Sequence, residues 1–286
     1  NKASEHHVEH SETILRQALE KASLSLKDID LIAYSRSPGL GPTLRIGAGT
    51  ARSLSVLHDK PIIGVNHCIA HLEIGRLLCK AKDPVLLYAS GTNTQIIAYE
   101  AKKYRIFGET LDIGIGNFLD TFARHIGLGF PGGPKIYDLS LKSKKYIELP
   151  YVVKGMDVSF GGLLTNLKQK YDSKIYKVEE LCYSLQETAF AMLLEVAERA
   201  MAHTGKKELL IGGGVGCNKR LQEMAKAMCK DRGANFFAPP NEFLVDNGAM
   251  IAWLGSMMYS KDKKKALDVR KADIDAYERT DDVEVY

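Results

Sequence analysis

Apolar residues recur along this chain in two rhythms that take turns. Over residues 4–22, Val8, Ile14, Leu15 and Leu19 fall on one side of a helix, while His6, His7 and Glu9 belong to its polar side. A run over 30–35 predicts a buried strand, 37–42 a rigid turn of proline and glycine, 44–57 a helix, and 61–65 a second apolar strand followed by a helix. Alternation of this kind predicts a largely parallel sheet with helices packed on it. The pattern starts afresh at residue 84. A strand over 84–89 is followed by two more, 95–99 and 103–107, spaced as in a meander, then a helix around 116–126. The longest helical pattern covers 178–202, strands follow at 208–211 and 235–238, and a helix covers 249–259. Glycine-rich turns stand at 90–94, 129–134 and 212–218, the last opening another helix. The chain has no short-period repeat and no low-complexity segment.

With 286 residues, 45% of them hydrophobic, the chain is long enough for two lobes or one large α/β domain. No apolar run approaches the ~20 residues that span a bilayer, and no signal peptide is visible, so a membrane role is not expected. The five cysteines form no Cys-x-x-Cys pair, which points to buried free thiols in a reducing compartment. A net charge of +4 neither demands nor excludes nucleic acid. The first residue is Asn1, already inside a helical pattern, so the natural chain is expected to begin earlier.

Candidate chemistry begins at His67 and His71, one helical turn apart. The spacing suits two neighbouring ligands of a transition metal, and equally two ordinary surface or core histidines. It resembles the zinc-protease signature, but Cys68 stands where that signature has its general-base Glu. The turns at 90–94 and 212–218 each follow a strand, as expected of loops that hold a nucleotide; tight packing alone would also explain the glycines. At the second, a helix N-terminus is expected to favour an anion. Neither is a Walker loop or a clean Rossmann fingerprint. Asp120 reads either as a ribose contact or as a solvent-facing helix residue. Asp246, before Asn247-Gly248 at a helix start, reads as a helix N-cap, a place that by itself needs no function.

Several short motifs occur together and in order: Pro38-Gly39-Leu40-Gly41-Pro42, Gly64-Val65-Asn66-His67-Cys68-Ile69-Ala70-His71, Gly108-Glu109-Thr110-Leu111-Asp112 and Asp120-Thr121-Phe122-Ala123-Arg124. Further on come Phe130-Pro131-Gly132-Gly133-Pro134, Lys154-Gly155-Met156-Asp157-Val158-Ser159-Phe160, Gln186-Glu187-Thr188-Ala189-Phe190 and Asp246-Asn247-Gly248-Ala249-Met250-Ile251-Ala252. Together they resemble the universal tRNA threonylcarbamoyltransferase family, once labelled O-sialoglycoprotein endopeptidases. The likeness is greatest to its archaeal and eukaryotic branch, the catalytic subunit of the KEOPS complex.

The resemblance implies the actin/Hsp70/sugar-kinase α/β fold, two related lobes with the active site between them. The first lobe would be 1–83, completed by 247–260; the second would be 84–246; and 261–286 would be a polar tail or the start of a linker to a kinase domain. It implies one divalent ion, Fe or Zn, on His67, His71, Tyr88 and Asp246. It further implies an adenylate held by Tyr88, Ala89, Ser90, Gly91, Thr92, Asp120, Gly133, Tyr137 and Asn218, in a site that threonylcarbamoyl-AMP, ATP, ADP or AMP can occupy.

The chain departs from the family pattern at four places. Thr92 replaces a glycine, Tyr137 stands where many relatives have Glu, and Gly216-Cys217 replaces Ala-Ala. A leading strand hairpin has no counterpart here.

The implied reaction is cytoplasmic transfer of a threonylcarbamoyl group to the exocyclic amine of the adenosine 3′ to the anticodon, in tRNAs reading codons that start with A. No general base is assigned. The alternatives are an ATPase or sugar kinase of the same fold and a non-catalytic scaffold; Cys68 disfavours a metalloprotease. Implied partners are tRNA, an atypical small kinase, fused downstream in some archaeal members, and a small dimer-forming subunit. The helices over 4–22 and 44–57 are expected to offer the surface on which partner helices pack.

Overall fold

A computed structural model describes residues 2–285. In chain order the elements are α1 (Lys2–Ala22), β1 (Ile32–Ser37), α2 (Gly41–His58), β2 (Ile62–Asn66), α3 (His67–Cys79), β3 (Val85–Ala89), β4 (Thr94–Glu100) and β5 (Lys103–Glu109). They continue with α4 (Ile115–His125), α5 (Gly132–Ser140), β6 (Val153–Lys154), β7 (Asp157–Val158), α6 (Gly161–Asp172) and α7 (Val178–Thr204). The last are β8 (Glu208–Gly212), α8 (Lys219–Asp231), β9 (Asn235–Phe237), α9 (Asn241–Leu244) and α10 (Gly248–Lys261). Two compact units result: Gly75–Asp246, and the residues before and after it.

The first unit is built on β1 and β2, parallel neighbours in the register Ile32↔Ile62 to Ser35↔Val65. Parallel pairing needs a crossover, and α2 supplies it. Pro42 sits in the first turn of α2, where a missing N–H costs nothing. α10 packs on both strands. Residues 262–285 also belong to this unit, in contrast to the free tail expected from their polarity. The Leu267 amide donates to the Ile62 carbonyl (2.8 Å), the Tyr34 hydroxyl to the Asp273 carbonyl (2.8 Å) and the Asp275 amide to the Arg36 carbonyl (3.1 Å). Glu278 accepts from the Ser37 hydroxyl. Ala272, Thr280 and Val285 are buried. The apolar residues that anchor this stretch, Leu267, Val269, Ala272 and Ile274, are scattered among charges, so no window of sequence reads as core. Tyr286, named in the tail expectation, lies outside the described residues.

The second unit carries a five-stranded sheet in the order β5-β4-β3-β8-β9. β3, β4 and β5 form the expected antiparallel meander, while β3–β8 and β8–β9 are parallel. α7 runs through the core, burying residues on every side from Leu181 to Met201, which is why its sequence shows little amphipathic contrast.

Two of the motifs turn out to be halves of one clasp. The Glu109 amide donates to Asp157 (2.9 Å), and the Leu111 amide to the Val158 carbonyl (2.8 Å). Gly108 is required there: a Cβ would stand 1.8 Å from the Met156 carbonyl oxygen. Asp112 closes the clasp by accepting from the Ser159 hydroxyl (2.6 Å) and from the amides of Phe160, Gly161 and Ile113 (2.7–2.9 Å). Partial burial alone would raise its pKa, but these donors outweigh burial and bring it down to about 2.

A carboxylate depressed in the folded state stabilises above its unfolded pKa and ceases to as pH falls through the folded one. Asp112→Asn should therefore cost about 1 kcal/mol in urea unfolding at pH 6, the usual size of a lost helix cap. That gap should close between roughly pH 4 and pH 2 as the wild-type carboxyl protonates. An equal gap at both ends would show that the carboxylate charge is not what holds the clasp.

Candidate metal and nucleotide site

β2 ends at Asn66, whose side-chain oxygen accepts from the amides of Cys68 (3.0 Å) and Ile69 (3.2 Å). This caps α3 at its start, so His67 is the first helical residue and His71 lies one turn on. Their ring centroids are 4.9 Å apart with planes at 77°. Cys68 turns into the core and is fully buried, so no side chain takes the place of the protease base from that position. Far along the chain, Asn247 caps α10 by accepting from the Met250 amide (2.9 Å). The cap is thus Asn247, and the alternative in which Asp246 served that purpose does not hold. Asp246 stands just before the cap.

His67, His71 and Asp246 each offer a donor atom within 4.8 Å of the others. Tetrahedral bonds of ~2.1 Å set donors about 3.4 Å apart, so small side-chain rotations would close the set on an ion. Two imidazoles and a carboxylate suit Zn or Fe, and the residues fit such a group. Tyr88 lies buried within β3, opposite Gln95 of β4 and Gly212 of β8.

Ala89 ends β3, and the turn after it closes on itself. The Ser90 amide and hydroxyl both donate to the Asn93 carbonyl (3.0 and 2.9 Å). The turn gives its carbonyls to the start of α4, Ser90 accepting from Gly116 (3.0 Å) and Gly91 from Asn117 (2.9 Å), while Thr92 stays exposed. Because β8 is the parallel neighbour of β3, the second glycine turn lies beside the first. Gly213 has φ +87°, and a Cβ on it would come 2.4 Å from the Ala89 carbonyl oxygen.

Asn218 follows and caps α8, its Oδ1 accepting from Arg220 (2.9 Å) and Leu221 (3.3 Å). The expectation of a helix N-terminus open to an anion is corrected here, because Asn218 itself takes two of those amides. Arg220 is engaged too, forked onto Glu187 of α7 at 2.6 and 2.7 Å, with its pKa raised by that carboxylate.

On α4, Asp120 accepts from the Gly132 amide (2.7 Å), which sets it beside the first turn of α5 and Gly133. Gly132-Gly133-Pro134 reads as a turn in the sequence but forms the first turn of that helix. Tyr137 follows one turn later. Its carbonyl accepts from the Ser140 hydroxyl (2.7 Å), which accepts from Gln186 (2.5 Å), whose oxygen accepts from Asn218 (2.7 Å). The second unit thus brings Asp120, Gly133, Tyr137 and Asn218 into one connected group. Sequence reasoning misses Gln186, although a signal is present: a polar amide among the apolar residues of the long helical pattern.

Solved structures share this fold. T. kodakarensis HypF superposes with a TM-score of 0.72 over 89% of this chain, at 14% identity. A full-length HypF structure gives 0.66 over 85%, also at 14%. The chain spans 44% and 49% of those proteins. The α/β fold with its mixed sheet is therefore one that these structures share, in agreement with the expected fold class.

The family profile of TsaD, tRNA N6-adenosine threonylcarbamoyltransferase, matches residues 1–253, and the chain belongs to that family. A tRNA N6-adenosine threonylcarbamoyltransferase of Thermococcus kodakarensis is 56% identical over 283 residues, 99% of this chain and 86% of that protein. A Methanocella arvoryzae protein of the same name is 53% identical over 99% of this chain and 85% of its own. A probable bifunctional tRNA threonylcarbamoyladenosine biosynthesis protein of Methanocaldococcus jannaschii is 55% identical, but this chain covers only 52% of it. Among the described residues, no helix is long and apolar enough to cross a membrane.

Proposed function

We propose that this chain is an acyltransferase that moves the threonylcarbamoyl group of threonylcarbamoyl-AMP to the exocyclic amine of an adenosine in tRNA, the one 3′ to the anticodon. The observation that carries the proposal is the convergence of His67, His71 and Asp246 in a chain of this family. In the reaction the amine nitrogen forms a bond to the carbamoyl carbon, the bond from that carbon to the phosphate oxygen breaks, and AMP departs with the electron pair. The amine loses one proton to solvent or to the departing phosphate.

AMP is a good leaving group, so the protein's task is alignment and charge stabilisation rather than covalent catalysis. His67, His71 and Asp246 would hold a divalent ion, Zn or Fe, which when bound supplies Lewis-acid charge to ligand oxygens. Asp120, fixed by Gly132, presents a carboxylate suited to ribose hydroxyls. The paired turns, with Gly133, Tyr137 and Asn218, would line the adenylate. Such a reaction belongs in the cytoplasm with its tRNA.

Help from partners fits a charge of only +4, because affinity for tRNA grows with lysine and arginine laid along one surface. α1 buries no residue, and Val8, Ile14, Val56 and Leu57 on α1 and α2 are exposed, which supports this face as the seat of partner helices. Relatives named bifunctional, of which this chain covers 51–52%, support a second function joined to this one in those proteins. Charge reversals on α1 should abolish co-purification with a dimer-forming subunit while AMP binding persists; wild-type yield of the complex would refute the assignment.

The reaction itself is tested by incubating the protein and its partners with tRNA and labelled threonylcarbamoyl-AMP. Label is expected in one tRNA nucleoside. Release of label only as free threonine, or ATP-dependent sugar phosphorylation instead, would overturn the proposal.

A further inference from the structure

Gln186 is 2% exposed and lies in the first third of α7, in a stretch whose neighbours Leu185, Ala189 and Phe190 are fully buried. A buried amide must find partners for both its ends, and here both lead to the candidate adenylate site. The direction of every hydrogen bond in the relay is forced from outside. Amides of Arg220 and Leu221 can only donate, so the Asn218 oxygen faces them and its nitrogen faces Gln186. The Tyr137 carbonyl can only accept, so the Ser140 proton points to it and the Ser140 oxygen accepts from Gln186. Neither amide can flip without setting two donors or two acceptors face to face. Asn218 is left with its oxygen fully used and one Nδ2 hydrogen outside the relay.

We infer that Gln186 is a positioning residue for the nucleotide: it fixes the Asn218 amide with its remaining N–H presented to the adenylate, and through Ser140 it holds α5, which carries Gly133 and Tyr137, at a set distance from α8. The inference rests on the reading that Asn218 contacts the nucleotide. It assigns Asn218 a donor role only, so the atom it meets on the ligand is an acceptor, such as a ring nitrogen or a phosphate or ribose oxygen. Glu187, the next residue, ties Arg220 to the same helix and adds a second brace between α7 and the start of α8.

The test is AMP binding by calorimetry, together with the melting temperature, for wild type and a small set of variants. Gln186→Met keeps the volume but removes the acceptor, and should weaken AMP about tenfold, the scale of one well-placed hydrogen bond. Gln186→Glu, protonated in this buried setting, restores both an acceptor for Asn218 and a donor for Ser140. It should bind AMP within about threefold of wild type even if it melts lower. Adding Gln186→Met to Asn218→Ala should weaken AMP by less than about twofold beyond Asn218→Ala alone, because both remove the same contact. A purely structural residue would instead lower affinity in step with melting temperature and add in full to Asn218→Ala. Should Gln186→Met fail to fold, Gln186→Asn keeps an amide but is one methylene short of bridging Ser140 and Asn218, and should show the same loss.

Wild-type affinity in Gln186→Met or Gln186→Asn, with Asn218→Ala weakened, overturns the inference and leaves the adenylate site standing. Wild-type affinity in both Asn218→Ala and Asp120→Ala removes the site itself and the inference with it.

Discussion

Protein carrying His71→Ala is expected to leave purification with less than about a tenth of an equivalent of bound ion, against about one of Zn or Fe in wild type never exposed to chelator. Transfer activity should fall about a hundredfold or more. His71 is 2% exposed, so its removal also leaves a small void. Asp246→Ala is the cleaner companion, because Asp246 is exposed and the adjacent cap is Asn247. It should lose the ion with little change in melting temperature. Elemental analysis decides the matter: untreated wild type that holds no stoichiometric transition metal would show the donor assignment to be wrong.

Gly213→Ala should have the second largest effect. The backbone there has φ +87°, and the added methyl would lie 2.4 Å from the Ala89 carbonyl oxygen. Either the second turn swings away from the first or both sheet neighbours strain, at a cost of about 2–4 kcal/mol in denaturant unfolding. AMP affinity should drop at least about tenfold, because the change parts the two turns that line the proposed adenylate. Thr92→Gly is the contrast: Thr92 is exposed, and its replacement should leave AMP binding unchanged or improve it. A Gly213→Ala protein that melts and binds AMP as wild type does would mean that the two turns do not meet as described.

What could be read from the sequence follows from where the physics is local. The strands and long helices announce themselves through periodicity, and the start of α3 through the short apolar strand that ends just ahead of the histidines. α5 escaped because Gly-Gly-Pro resembles a turn, yet Pro134 falls in a first helical turn where no amide partner is needed. α6 opens on Gly161-Gly162 and depends on Asp112, almost fifty residues earlier, for its cap. No window contains both. The packing of residues 262–285 was hidden for the same reason, since each apolar anchor is isolated among charges and matters only against β1 and β2. Of the candidate site, His67 and His71 stand out by their spacing, and Asp246 joins them as a donor only through resemblance. That they come within reach of one another is a property of the fold alone. The role of Asn218 as a cap, which withdraws two amides from any anion, needed coordinates.

The first unit is interrupted: everything from Gly75 to Asp246 intervenes between its two parts. On the ribosome this sets an order of events. The intervening unit is contiguous and can fold as it emerges, whereas β1 and β2 must wait for α10 and the residues after it. His67 and His71 are made early, and the carboxylate of Asp246 arrives about 175 residues later. The proposed donor set would therefore stay incomplete until Asp246 has been made, so that a tightly held ion would mark a molecule near the end of its synthesis.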